Sequence, residues 1–190
     1  HLSSVEIDQQ VGALLAAEAG LYELDETRLL AAGPDLIIAQ ALCDVCAITP
    51  SQLERVVHAL SPPPRMLTLS PGRLDDILLD IETIGTAIGR EEAGTQLSAV
   101  LRSRLDTVRA TVGAQATRPR VACIEWLSPL YTAGHWVPDM VAAAGGIDVL
   151  AQAGTASRKM DWDTLTASEP EVIVLMPCGF TIPRTKAELA

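Results

Sequence analysis

The chain has 190 residues, of which 48% are hydrophobic and 20% are charged, a composition typical of globular proteins and unlike that of disordered chains. At about 100–200 residues per domain, this length allows one ordinary domain or two small lobes. Fourteen Lys and Arg residues against 24 Asp and Glu residues give a net charge of −10. Such a charge repels phosphate backbones, which argues against nucleic acid as a partner.

The sequence predicts neither a membrane span nor an export signal within these residues. The longest stretch without a charged side chain, residues 126–138, is much shorter than the ~20 apolar residues of a spanning helix. Residues 1–4 show no basic segment followed by an apolar one, as an export signal would. The four cysteines are too few for a disulfide framework.

The chain begins with a predicted amphipathic helix. Ser3 and Glu6 have the spacing of a capping box. One helical face then carries a set of apolar side chains, and the pattern ends at Gly20: Ile7, Val11, Leu14 and Leu15.

Short helices and apolar strands follow. Asp25 is placed to cap a helix that ends at Ala32, and residues 35–40 form an apolar run typical of a strand buried on both faces of a parallel sheet. A further helix is predicted from Pro50, because proline favours the first helical position. Residues 65–69 have the pattern of a second strand.

A long helical region is predicted over residues 71–112, divided at Gly89. Each part has its own apolar stripe, and Leu97, Val100, Leu101, Leu105, Val108 and Val112 form the second. At ~1.5 Å per residue, a helix over residues 90–112 would be about 34 Å long, which suits a connection between two lobes.

The last third of the chain again alternates strands and helices. Strands are predicted over residues 121–125 and 172–176, with Cys123 as a small buried hydrophobe. Helices are predicted over residues 137–144 and after Asp161. The order of elements indicates an α/β protein.

An internal repeat supports a division into two similar halves. Residues 25–38 align without a gap with residues 161–174, pairing Asp25 with Asp161 and Pro34 with Pro170. Two helix–turn–strand units at corresponding points predict two α/β lobes with a cleft between them. We expect lobes at residues 1–89 and 117–190, joined by a helix at 90–116.

Aromatic side chains are concentrated in the predicted second lobe. Of the six aromatic residues, Trp126, Tyr131 and Trp136 fall within a short segment that we interpret as a loop leaving the carboxyl end of a strand. Open α/β sheets bind their ligands at that end. The alternative is that these rings pack in the core of the lobe.

Three motifs resemble the substrate-binding proteins of ABC importers for cobalamin and ferric siderophores. They are LxxxxPDLIIAQ followed by CDVCA (residues 29–47), IEWLSPLYTAGHWVPDMVAAAGG (124–146) and DWDTLTASEPEVIVLMPCGF (161–180). The motif at residues 124–146 is the most specific and resembles the cobalamin-binding branch. The resemblance implies two parallel-sheet α/β lobes joined by a long rigid helix, in a full protein that extends beyond both ends of this sequence.

The resemblance also implies a site and a ligand. Tyr131 and Trp136 match ligand-facing positions, as does Gln40, where the family often has an aromatic residue; Trp126, His135 and Phe180 belong to the same motifs. A corrin is a large, weakly polar plate that aromatic faces can cover. It would be cargo, so no resident cofactor is expected. His135 either ligates cobalt or is a solvated or capping residue.

Haem and ferric siderophores are alternative ligands within the same fold. The scarcity of Arg and Lys in the candidate loops, together with the net charge, favours a neutral or cationic ligand over an anionic catecholate.

The resemblance further implies a membrane permease as partner and a location outside the cytoplasm. One acidic residue per lobe would face arginines of the permease, and Glu26 and Asp163 are the candidates. Acidic residues are also favoured in a first helical turn by the helix dipole, which is the alternative interpretation.

Two readings of a different class stay open at the level of the sequence. A metal or redox protein could use Cys43, Cys46, Cys178 and His135, although a single CxxC lacks a second ligand pair at recognisable spacing. An adaptor protein could use its acidic surface to bind a partner. Motifs of nucleotide-binding and hydrolytic enzymes do not occur, so we do not expect an enzyme.

Overall fold

The computed structural model describes residues 2–17, 21–42, 45, 48, 50–113 and 117–189. The helices are α1 Ser4–Ala16, α2 Glu26–Ala32, α3 Pro50–Val57, α4 Leu74–Ala87, α5 Glu91–Gly113, α6 Val137–Ala143, α7 Trp162–Ala167 and α8 Ile182–Glu188. The strands are β1 Leu36–Gln40, β2 Arg65–Leu69, β3 Arg120–Leu127, β4 Leu130–Thr132, β5 Ile147–Asp148, β6 Lys159–Met160 and β7 Val172–Leu175. The alternating α/β order that the sequence predicts is confirmed.

The N-terminal part contains a parallel sheet of two strands. β1 and β2 pair in register from Leu36 opposite Arg65 to Gln40 opposite Leu69. Helix α3 contributes the buried side chains of Leu53, Val56 and Val57. The expectation that β1 is buried on both faces is wrong, because Ile38 is 44% exposed on a sheet with only two described strands.

The internal repeat folds into two equivalent units. The Asp25 carboxylate accepts the amide N–H of Arg28 at 3.0 Å at the start of α2, and Asp161 accepts that of Thr164 at 2.7 Å at the start of α7. Gly33 and Glu169, which are equivalent in the alignment, both have a positive φ, of 52° and 43°. In each unit, the helix is therefore followed by a residue in the left-handed backbone conformation, and this residue redirects the chain into the next strand.

Helices α4 and α5 form a closely packed pair. Gly89, at φ 72°, lies in the turn between them, and Gly85 and Gly94 bring the two backbones together. The second apolar stripe is less buried than its pattern predicts: Leu97, Val100 and Val108 are exposed. No helix in the described part of the chain is both long and apolar enough to cross a bilayer.

The C-terminal sheet is organised around β3. This strand pairs in parallel with β5 and β7 and in antiparallel with β4, which pairs in turn with β6. The part of the aromatic segment that carries Trp126 and Tyr131 is therefore a β-hairpin and not the loop expected from sequence, whereas Trp136 lies just before α6. A register shift between Ile124 and Trp126 leaves Trp126 opposite Tyr131.

The core of this part lies on both faces of β3. Ala122, Ile124 and Leu127 belong to a cluster with Leu130, Leu150 and Leu165. Val121 and Cys123 belong to another, against Val137 and Val141 of α6. Cys123 is buried as predicted, and burial, with a smaller effect of Asp148, raises the pKa of its thiol to about 11.

The contact between α4 and α5 makes a testable prediction. In Gly85→Ala the new Cβ would lie 2.9 Å from the Gly94 Cα, so the helices must separate, and we expect a loss of roughly 1–3 kcal/mol in the free energy of unfolding. Gly12→Ala is the control, because this helical glycine has no atom within 4 Å of an added Cβ. Alanine there should stabilise by up to ~1 kcal/mol. If Gly85→Ala and Gly12→Ala shift the midpoint of urea unfolding in the same direction, the prediction is wrong.

Candidate ligand-binding site

Three of the residues selected from the sequence lie together, and we call Trp126, Tyr131 and Phe180 the aromatic cluster. Trp126 and Tyr131 are paired across the β3–β4 hairpin. Phe180 lies edge-on to Trp126, with ring centroids 5.2 Å apart and an angle of 60° between the rings. Phe180 lies at this position because the chain beyond β7 continues alongside β3. There the Cys178 amide donates to the Glu125 carbonyl at 3.3 Å.

Helix α1 covers the aromatic cluster through hydrogen bonds. The indole N–H of Trp126 donates to the Ser4 carbonyl at 3.1 Å, and the hydroxyl of Tyr131 donates to Asp8 Oδ1 at 3.0 Å. Lys159 Nζ lies 3.0 Å from the other oxygen of Asp8. Sequence reasoning missed Ser4, Asp8 and Lys159, because nothing in their local patterns indicates contacts between segments so far apart in the chain.

The start of α1 is also joined to α8. The Ser4 amide and hydroxyl donate to Glu188 Oε2 at 3.0 and 2.6 Å. These hydrogen bonds lower the pKa of Glu188. Arg184 donates to the Leu2 carbonyl at 2.8 Å. Helix α1, although it precedes the N-terminal sheet in the chain, is therefore attached to the C-terminal part.

Two cations flank the aromatic cluster, and two carboxylates accompany them. Arg184 lies with Cζ 3.6 Å from the Phe180 ring centroid, and Lys159 Nζ lies 5.5 Å from that of Tyr131. Hydrogen bonds with Asp8 and then Tyr131 raise the pKa of Lys159, and burial is the main cause of the raised pKa of Tyr131. The aromatic segment contains few cationic residues, as is evident from the sequence. In the folded protein, however, Lys159 of β6 and Arg184 of α8 lie beside it.

His135 and Trp136 lie at the start of α6, and their rings are 6.0 Å apart at 40°. His135 has φ 54°, and its backbone N–H and C=O bond to Thr155 and Gly154 at 2.6 and 2.9 Å. Gly134 must lack a side chain, because a Cβ there would lie 2.4 Å from the Ser157 amide nitrogen. None of the described ring contacts or hydrogen bonds joins these two residues to the aromatic cluster.

An ion pair connects the beginnings of α4 and α6. Arg73 donates through Nε and Nη2 to the two carboxylate oxygens of Asp139 at 3.2 and 2.8 Å, and the Leu74 amide donates to the same carboxylate at 3.1 Å. The Arg73 hydrogen bond is the main reason why the pKa of Asp139 lies below its ordinary value. This contact fixes α6, and with it Trp136, against the N-terminal part.

The remaining candidates lie apart. Gln40 ends β1, opposite Leu69, and no hydrogen bond or ring contact found in the described residues connects it with the aromatic cluster. Glu26 and Asp163 are exposed in the first turns of α2 and α7. Cys43 and Cys46 lie outside the described residues. Cys178 is an exposed free thiol. In the part of the chain that is described, no three His, Cys, Asp or Glu side chains are close enough together to hold a metal ion.

A cavity of about 470 Å³ lies beside the segment that connects β5 and β6. Its lining includes Thr132, Asp148, Gln152, Thr155 and Arg158. Asp148 Oδ1 accepts the amides of Leu150 and Ala151, both at 2.9 Å, so this carboxylate organises the turn after β5. The cavity contains none of the aromatic side chains selected from the sequence.

The structure thus combines two α/β parts with an aromatic surface at the end of the central strand. The sequence pattern of the periplasmic binding protein family matches residues 23–189. The chain therefore belongs to the periplasmic binding protein family, whose members are ligand carriers without enzymatic activity. None of the curated proteins compared with the chain matches it significantly.

Solved structures share this fold at low sequence identity. The periplasmic haem-binding protein RhuT from Roseiflexus sp. RS-1 is 24% identical, with a TM-score of 0.65 over 80% of this chain and 58% of its own. The periplasmic vitamin B12-binding protein BtuF of Vibrio cholerae is 20% identical, with a TM-score of 0.62 over 90% and 66%. S. aureus IsdE, solved with haem, is 15% identical, with a TM-score of 0.68 over 87% and 62%. The chain thus spans about three fifths of such structures.

The Arg73–Asp139 pair predicts a specific dependence of stability on pH. The carboxylate has a pKa below the ordinary 3.8 in the folded protein. Its contribution is therefore complete above that value and is lost as the pH falls through the folded pKa. We expect Asp139→Asn to lower the thermal midpoint by a constant amount between about pH 5 and 7, and by progressively less below about pH 4.

The control for this prediction is Asp106→Asn, which removes an exposed pair within one helix, Asp106 with Arg109. Exposed pairs contribute little to stability, so its midpoint should follow that of the wild type at every pH. If the difference in thermal midpoint between wild type and Asp139→Asn increases as the pH falls below about 4, the predicted direction of the pH dependence is wrong.

Proposed function

We propose that this protein is the substrate-binding component of an ABC importer, which captures a corrinoid such as cobalamin between its two α/β lobes and delivers it to a membrane permease. The single observation that carries the proposal is the aromatic cluster at the carboxyl end of β3, in a chain of the periplasmic binding protein family. This is the position where α/β sheets bind ligands. Family membership also supports a location outside the cytoplasm.

The chemistry of the cluster suits a large, weakly polar ligand. Three aromatic rings offer contact area with little loss of side-chain entropy. The flanking cations Lys159 and Arg184 are accompanied by Asp8 and Glu188, so the surface has no large excess of either charge. In this proposal Trp136, His135 and Gln40 form the other walls of the site. Residues 1–89, 90–116 and 117–190 are the first lobe, the connecting helix and the second lobe, with α1 of the first segment docked on the second lobe.

Haem is the second candidate ligand, and two observations favour it. RhuT is a periplasmic haem-binding protein, IsdE was solved in complex with haem, and both share the fold. Lys159 and Arg184 also lie beside the aromatic rings, where cations could pair with the carboxylates of a porphyrin. A corrinoid and haem are distinguished directly by titration.

The ligand prediction concerns Trp136 and Tyr131 in the full-length protein. Calorimetric titration with cobalamin, cobinamide, haem and ferric siderophores should identify a corrinoid as the tightest ligand. Trp136→Ala and Tyr131→Ala should each weaken that affinity by roughly 1–3 kcal/mol, the range for a buried aromatic anchor.

Trp162→Ala is the matched control for this experiment, because Trp162 is 63% exposed on α7 and is not part of the proposed site. Its affinity should equal that of the wild type. If Trp136→Ala and Tyr131→Ala bind normally but unfold at lower temperature, the rings belong to the core and the site is wrong.

The permease contact is proposed at Glu26 and Asp163, which occupy the first turns of the two repeat helices, α2 and α7. The repeat places them at similar points of the two halves, as a transporter that contacts both lobes requires. Glu26 is offset by one residue, since Thr27 is the position equivalent to Asp163.

For this contact, we expect the double variant Glu26→Ala/Asp163→Ala to bind ligand normally and to support slower uptake in reconstituted vesicles, because charges at an interface rim chiefly set the association rate and register. The control is Glu91→Ala/Glu92→Ala, which removes two first-turn acids from α5. Uptake by the Glu26→Ala/Asp163→Ala variant at the wild-type rate would remove both residues from the interface.

A further inference from the structure

Helix α1 occupies the polar groups of the aromatic cluster. The Ser4 carbonyl takes the only N–H of the Trp126 indole, and the Asp8 carboxylate takes both the Tyr131 hydroxyl and the Lys159 ammonium. A ligand that lies against these rings and carries hydrogen-bond acceptors, as the amide side chains of a corrin do, would use the same donors. Helix α1 and a ligand therefore compete for them.

The described hydrogen bonds that attach α1 to the rest of the protein are confined to residues 2–8. Ser4 is the only buried residue of the helix, whereas Val5, Leu14 and Leu15 are about 40% exposed. The tertiary hydrogen bonds described for this region involve Leu2, Ser4 and Asp8. Ile7 and Val11 are only partly buried. Since apolar burial is the main stabilising term in packing, a helix with no fully buried apolar side chain is weakly docked.

The helix itself does not depend on this attachment. It has a capping box, in which the Ser3 hydroxyl accepts the Glu6 amide at 3.3 Å and the Ser3 amide donates to Glu6 Oε2 at 2.7 Å. Its caps and its intrahelical hydrogen bonds are local. Movement of α1 as a unit would break only the contacts at the aromatic cluster and at α8.

We infer that α1 is a displaceable cover of the aromatic cluster: Ser4 and Asp8 hold Trp126, Tyr131 and Lys159 in the ligand-free protein, and a bound ligand takes over these groups as the helix leaves. The identity of the competitor rests on the proposed function, but the cover is a feature of the ligand-free protein. The apparent affinity for ligand is then reduced by the fraction of molecules in which the cover is closed.

The test compares Asp8→Ala with Gln9→Ala in the full-length protein. Gln9 is the exposed neighbour of Asp8 on the same helix, so both variants place alanine in α1 and only the first removes the contacts with Tyr131 and Lys159. Loss of these hydrogen bonds should accelerate hydrogen exchange at the Trp126 indole N–H by about 3–10-fold without ligand, and should tighten cobalamin binding by a similar factor. Gln9→Ala should change neither.

A second measurement uses the wild-type protein alone, so that it does not depend on the folding of a variant. Addition of cobalamin should increase hydrogen exchange at the Ser4 amide, because its hydrogen bond to Glu188 is lost as the helix leaves. Decreased exchange there would show that α1 closes over the ligand and would overturn the inference.

The outcomes separate the cover from the proposed function. Unchanged exchange of the Trp126 indole in Asp8→Ala would refute the cover. Faster exchange with weaker cobalamin binding would also refute it, because α1 would then be a wall of the ligand site. If neither protein binds any of the corrinoids, haem or siderophores, the proposed function is wrong, while faster exchange in Asp8→Ala would still support α1 as the cover.

Discussion

Burial of β3 on both faces is the constraint on which the rest of the structure depends. Its alternate side chains belong to two different core clusters, one of which is completed by α6. A strand that is covered on both sides must have its backbone groups paired, and β5, β7 and β4 supply those partners along its length. The hairpin with β4 then sets the positions of Trp126 and Tyr131, and the continuation of β7 beside β3 sets that of Phe180.

Contacts between cationic side chains and carboxylates or aromatic rings are the second main structural feature. In a chain with a net charge of −10, the cations are used at defined contacts. Lys159 and Arg184 accompany the aromatic cluster, while Arg73 joins α4 to α6 through Asp139. The Arg73 pair has bidentate geometry and a mostly buried carboxylate, which makes it more than a surface ion pair. It connects the two halves of the chain near Trp136.

Helix α1 contacts both the aromatic cluster and one of its flanking cations, Lys159. An aromatic surface exposed to water is unfavourable, and α1 covers it through hydrogen bonds accepted by Ser4 and Asp8. The exchange of hydrogen bonds between α1 and a ligand would be nearly balanced, since both satisfy the same donors. Such a balance would allow the site to open at little cost in free energy, at the expense of some apparent affinity.

The sequence by itself determined the elements and the repeat. Local signals are sufficient for these, as Asp25 and Asp161 show by capping α2 and α7, and as Gly89 shows by ending α4. Trp126 and Tyr131 could be selected because aromatic residues are rare in this chain and are concentrated in one segment, and Phe180 because it belongs to a family motif. Only the tertiary structure decided that the aromatic segment is a hairpin and that Asp8, Lys159 and Arg184 surround it. Side chains so distant in sequence meet through the pairing of strands and the docking of helices, and a local pattern carries no record of those contacts.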